Sequence, residues 1–141
     1  DFIKNSETKE DYTVLKRQYV LSQIRYWLLA QEVNKLCKKD SVLVLYFYSV
    51  EPEFCEQCTT QGVILSYLKD QLKDKFLVFS FDANFGDEPL VTLLRTNYAV
   101  QRTPSLVINE KTYSGLVTKE ALLQVVCSSY SEKPEICTAV A

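Results

Sequence analysis

Histidine and methionine are absent from this 141-residue chain. Without an imidazole there is no Ser-His or Cys-His catalysis, and most catalytic zinc sites lose their usual ligand. An excess of charge of one sign is also missing: the net charge is −2 and no basic block occurs. Electrostatics therefore disfavour a nucleic acid or an anionic membrane surface as partner. No uninterrupted apolar run reaches the ~18 residues a bilayer-spanning helix needs. The most apolar window, residues 19–30, contains Gln23 and Arg25. Glycine is scarce, three residues in all, which points to long regular elements and few tight turns. The chain begins with Asp1 and holds no Met, so it reads as a mature product or a fragment. A signal peptide or membrane anchor upstream of Asp1 is left open.

Apolar residues make up 47% of the chain, enough for one domain with a hydrophobic core. Five Cys is many for a cytosolic protein of this size. Cys55 and Cys58 form a CxxC pair, while Cys127 and Cys137 bracket a polar loop. The latter two fit a bridge closing that loop or two unrelated thiols. Cys37 stands alone at the end of a helical pattern and reads as a small buried apolar residue, or as the site of an intermolecular bridge. A second disulfide would fit an oxidising, extracytoplasmic compartment.

From about Lys9 to Lys38 the pattern is helical. Tyr12, Leu15, Tyr19, Ser22, Tyr26, Leu29, Val33 and Leu36 recur at alternating spacings of three and four, a heptad-like stripe. Val20, Leu21, Ile24, Trp27 and Leu28 add apolar surface on other faces. Such a helix packs on its own domain, mediates a homodimer, or continues an upstream membrane segment. Residues 41–49 (SVLVLYFYS) and 76–81 (FLVFSF) read as buried strands, and residues 105–108 (SLVI) as a third. Asn109-Glu110-Lys111 is a turn into a short fourth strand at Thr112-Tyr113. Helices are expected from about Cys55 to Lys73, from Glu88 to Tyr98, and from a Thr118 cap to Tyr130. The order implies an α/β fold: a mixed sheet flanked by helices, with an added long N-terminal helix. The chain divides into a helical extension (1–40), the α/β domain (41–130) and a tail (131–141).

At a helix start, Cys55 would face unpaired backbone N–H groups and the positive end of the helix dipole. Both favour a thiolate, the nucleophile of thiol–disulfide exchange, and Cys58 could then resolve a mixed disulfide. Glu56 opposes the dipole. The pair alone also fits a static disulfide, or half of a zinc site for which no second CxxC or His pair exists.

Strand, loop, CxxC at a helix start, a second strand ending in Asp82, a helix, and Arg102-Thr103-Pro104-Ser105 before an apolar strand resemble the thioredoxin-like superfamily over residues 41–130. The resemblance implies a thiol–disulfide oxidoreductase acting on protein thiols and disulfides, needing no cofactor or metal and served by a redox partner protein. It implies that Pro104 is cis beside Cys55 and Cys58, and that Phe54, Thr103 and Pro104 contact substrate. The departures are Phe54 where such proteins usually have Trp, Glu56-Gln57 where they have Gly-Pro, and Tyr46 in place of a buried acid. Glu51 or Glu53 could substitute for that acid. These departures fit a specialised member, or a binding module that uses the N-terminal helix for partner or self association. Asp82, Asp87 and Glu88 read as turn and helix-start residues rather than a metal cluster. The nine Tyr and seven Phe read as core rather than a stacking platform for nucleic acid.

Overall fold

The structure is a computed structural model, and it describes residues 6–51, 53, 55–84 and 88–139. Helix α1 spans Ser6–Cys37, strand β1 Val42–Tyr48, helix α2 Cys58–Leu72 and strand β2 Phe76–Asp82. Helix α3 (Pro89–Asn97), strands β3 (Ser105–Ile108) and β4 (Lys111–Ser114) and helix α4 (Lys119–Cys127) follow. The sheet order is β2-β1-β3-β4, with β1 and β2 parallel and the other two pairings antiparallel.

Strand β1 is central, and its sequence, VLVLYFY, is apolar on both faces for that reason. Alternation sends Val42, Val44 and Tyr46 to one side, where Leu65 and Leu68 of α2 and Leu122 and Val126 of α4 meet them. Leu45 and Phe47 point the other way, onto Phe79, Phe81 and Val91. Local chemistry sets the element ends. Glu88 caps α3 by accepting from Leu90 N at 3.1 Å, with Pro89 as the first helical residue. Thr118 caps α4 by accepting from Ala121 N at 3.2 Å. Asn109 and Glu110 both adopt positive φ, 52° and 64°, which a two-residue turn between β3 and β4 requires. Gly115 adopts φ +83° just after β4.

Helix α1 lies along the face that holds Phe79 and Phe81. Val20 is 2% exposed there, with Ile24, Trp27 and Ala30 packed around it and Trp27 edge-on to Tyr98 at 6.5 Å. Polar ties reinforce the contact. Gln23 Oε1 accepts the Ser80 N–H of β2 at 3.2 Å, Arg17 Nε donates to Glu88 Oε1 at 2.8 Å, and Lys16 pairs with Asp82. The heptad stripe is not the packed face. Tyr12, Leu15, Tyr19, Tyr26, Leu29, Val33 and Leu36 are 37–75% exposed. The helix carries two apolar faces, and periodicity alone cannot choose which turns inward; the ties of Lys16, Arg17 and Gln23 flank the face bearing Val20 and Trp27 and hold it to the domain. Cys37 is exposed rather than buried, because the helix projects past its last packed turn.

The segment after α4 is fastened rather than loose. Cys127 and Cys137 form a disulfide with Cα atoms 5.6 Å apart. Tyr130 Oη donates to Lys75 O at 2.6 Å, Lys133 Nζ donates to Cys127 O at 2.6 Å, and Ser131 N donates to Asp40 Oδ2 at 2.8 Å. Cys137→Ser is expected to cost about 2–3 kcal/mol, because the bridge closes a loop of sequence separation 10. Thermal melting with and without a thiol reductant checks this: the wild type should lose the same increment on reduction, and the variant should not. Among the described residues no helix is long and apolar enough to cross a membrane.

Candidate functional site

Strand β1 ends at Tyr48 and delivers the chain to the carboxyl end of the parallel strands, where open α/β sheets place their sites. Ser49 is buried there, and its Oγ accepts from Glu51 N at 3.2 Å and from Asn84 Nδ2 at 3.1 Å. The chain then reaches Cys55 and Cys58, which are joined as a disulfide with Cα atoms 5.4 Å apart. Helix α2 starts at Cys58, not at Cys55, with Gln57 as its cap residue and no side chain bonded to the first-turn N–H groups. The positive end of the helix dipole therefore falls at Cys58, with Cys55 before it. Cys55 precedes the helix and is 9% exposed, whereas Cys58 is half-buried.

Tyr46 lies beneath the pair. Its Oη donates to Cys58 O at 2.9 Å, and its ring meets that of Tyr48 at 5.6 Å. Burial pushes the Tyr46 phenol up to about 12. It is therefore a neutral donor at ordinary pH and cannot take a proton from a thiol as a buried carboxylate could. Tyr48 is also raised to about 12, by burial first and then by the negative charge of Asp82. Glu51, Glu53 and Glu56 are exposed. The two buried carboxylates of the described residues, Asp82 and Glu88, are occupied by Lys16 and Arg17 of α1. Among the described residues no group of three or more His, Cys, Asp or Glu could hold a metal ion. Asp87 lies outside them.

The raised phenols have a consequence for alkaline stability. In the unfolded chain a tyrosine ionises near its ordinary value of about 10. Tyr46 and Tyr48 in the fold ionise only near 12, and Tyr130 is raised as well, by burial first. Between pH 10 and 12 the folded state thus holds more protons than the unfolded one. Stability present below pH 10 should fall as pH rises, by at most about 1.4 kcal/mol per tyrosine per unit of raised pKa. Urea melts at pH 8, 10 and 11 check this, and Tyr46→Phe should flatten the decline.

Strand β3 runs antiparallel to β1 with Ser105 opposite Phe47, so Thr103 and Pro104 lie at the same end of the sheet as the cysteine pair. The Thr103–Pro104 peptide is cis. Pro104 is buried, and its carbonyl accepts the Gly115 N–H at 2.8 Å. Phe54 lies outside the described residues. Sequence reading missed Gln61. It is fully buried in α2, its Oε1 accepting from Val117 N at 2.8 Å and its Nε2 donating to Val117 O at 3.2 Å. This clamp ties the helix that carries Cys58 to the segment between β4 and α4. The signal was available: Gln61 occupies the phase of Leu65, Leu68 and Leu72, where a polar residue must find partners.

No family model matches the sequence, and no curated protein matches it. Solved structures do match. A malarial protein superposes with a TM-score of 0.52 at 17% identity, covering 63% of this chain and 97% of the other. Chloroplastic thioredoxin z gives 0.50 at 19% identity over 68% of this chain and 83% of its own. A redox protein from Chlamydomonas reinhardtii gives 0.56 at 17% identity, covering 74% of this chain and 34% of that chain. At these identities the likeness is one of fold, and the fold is thioredoxin-like.

Proposed function

We propose that this thioredoxin-like chain is a thiol–disulfide oxidoreductase for protein substrates, acting through Cys55 and Cys58. The observation that carries the reading is the bonded pair at the start of α2, at the same sheet end as Thr103–Pro104. In the reducing direction the Cys55 thiolate attacks one sulfur of a substrate disulfide. The substrate's other sulfur leaves as a thiolate, and a mixed disulfide forms. The Cys58 thiolate then attacks the Cys55 sulfur. The Cys55–Cys58 bond closes, and the second substrate sulfur leaves as a thiol. Two electrons have passed from the dithiol to the substrate, and a dithiol partner protein must return them. The oxidising direction is the same sequence reversed. Phe54, Thr103 and Pro104 are the proposed substrate contacts. The second disulfide, Cys127–Cys137, supports an extracytoplasmic setting.

The test is trapping. Cys58→Ser should accumulate a mixed disulfide with a disulfide-bonded protein such as insulin, seen by mass spectrometry and released by reductant. Failure of both Cys58→Ser and Cys55→Ser to form any adduct would overturn the proposal. An adduct on Cys55→Ser alone would reverse the two roles. A second reading, association through α1, rests on a different observation, the exposed stripe, and is compatible with the first.

A further inference from the structure

We infer that α1 pairs with α1 of a second copy, antiparallel and about a two-fold axis near residue 28. The inference rests on the association reading of α1 and is independent of the redox chemistry. Across four heptads the stripe keeps a strict seven-residue repeat, with Tyr12, Tyr19, Tyr26 and Val33 alternating with Leu15, Ser22, Leu29 and Leu36. An α-helix with 3.6 residues per turn drifts by about 20° per heptad against such a repeat. The pattern is therefore matched to a supercoiled helix partner rather than to the flat face of a sheet. Much of this stripe stays exposed, Tyr26, Leu29 and Leu36 at 58–75%, while an adjacent face of the same helix holds the domain.

Charge fixes the partner and its direction. Arg25 and Glu32 flank the stripe on the side away from the domain, exposed and without an ion pair among the described residues. In an antiparallel pair these flanking positions face their own counterparts across the axis. Arg25 of one copy then meets Glu32 of the other, twice by symmetry, as an isologous interface requires. The core layers become Tyr26 on Leu29, Val33 on Ser22 and Tyr19 on Leu36. A parallel in-register pair would offer no such complementarity at these positions. On the opposite flank, Tyr26, Leu29 and Val33 form one wall of a groove of about 600 Å³ whose other wall is β2 and the end of α2. The partner helix would border this groove.

Sedimentation of the full chain tests the inference. A concentration-dependent dimer is expected. Leu29→Glu should make it monomeric with melting temperature and disulfide exchange unchanged, because Leu29 is 58% exposed and belongs to neither core cluster. Arg25→Glu and Glu32→Arg should each weaken the dimer about tenfold, and the double reversal should restore it. Cys37 gives the direction. The antiparallel register sets the two Cys37 residues roughly 28 Å apart at 1.5 Å per residue, so mild oxidation should not join them. A parallel pair would place them side by side. A chain that stays monomeric up to roughly 1 mM, whether or not it exchanges disulfides, would overturn self-pairing. So would a dimer indifferent to Leu29→Glu and both charge reversals, or ready Cys37 crosslinking. Monomeric chain that binds an extended peptide along β2 would assign the groove to that ligand instead.

Discussion

Cys55→Ser is expected to abolish protein-disulfide exchange, to the rate of buffer alone, while leaving the fold intact. The direction follows from the chemistry. Exchange needs one sulfur to attack and a second to resolve, and no other thiol of the chain can serve. Cys127 and Cys137 are bonded to each other and buried in the other half of the core, and Cys37 sits at the far end of α1. Cys58→Ser should differ in kind: attack persists, resolution fails, and the mixed disulfide accumulates. The resolving step in the wild type should also show a particular pH dependence. Tyr46, raised to about 12, stays protonated and cannot accept the Cys58 proton. Glu51, Glu53 and Glu56 are exposed, so no buried base is at hand among the described residues; with solvent as the acceptor the step should quicken about tenfold per pH unit until the thiol itself is ionised, without the plateau a buried carboxylate base would give. Stopped-flow measurement of mixed-disulfide decay between pH 6 and 8 checks this, and Tyr46→Asp is expected to lessen the pH dependence.

Phe47→Ala is expected to cost about 3–5 kcal/mol, and the variant would be largely unfolded if the parent stability is ordinary. Phe47 is fully buried near the C-terminal end of β1, stacked on Phe81 at 5.7 Å and opposite Ser105 of β3. Its removal leaves a void where the sheet carries α1 and α3, and the close-packed surroundings cannot fill it. Phe47→Leu should recover much of the loss, because it keeps most of the volume. Chemical denaturation of the three proteins measures the series. An equal cost for both variants would mean that ring stacking, not volume, holds this layer.

Strands β1, β2 and β3 were legible because short apolar runs bounded by polar residues have little else to be. Thr118 announced α4, and the order of elements with Thr103-Pro104 downstream of CxxC was enough to point to the fold. The inward face of α1 was not legible, since the stripe through Tyr26 and the face through Val20, Ile24 and Trp27 are both apolar at helical spacing. Helix α2 starts three residues later than the sequence pattern suggests, because Glu56 and Gln57 are as compatible with a turn as with a helix. The ion pairs Lys16–Asp82 and Arg17–Glu88 join residues 66 and 71 apart in sequence, a closeness only the folded chain creates.

The most direct test is a glutathione redox titration of the native chain, with mass spectrometry reading each cysteine. The expected result is a reversible two-electron transition confined to Cys55 and Cys58, with Cys127–Cys137 oxidised throughout and the fold unchanged. A Cys55–Cys58 bond that opens only on unfolding would mark it as a structural clasp and contradict the proposed exchange.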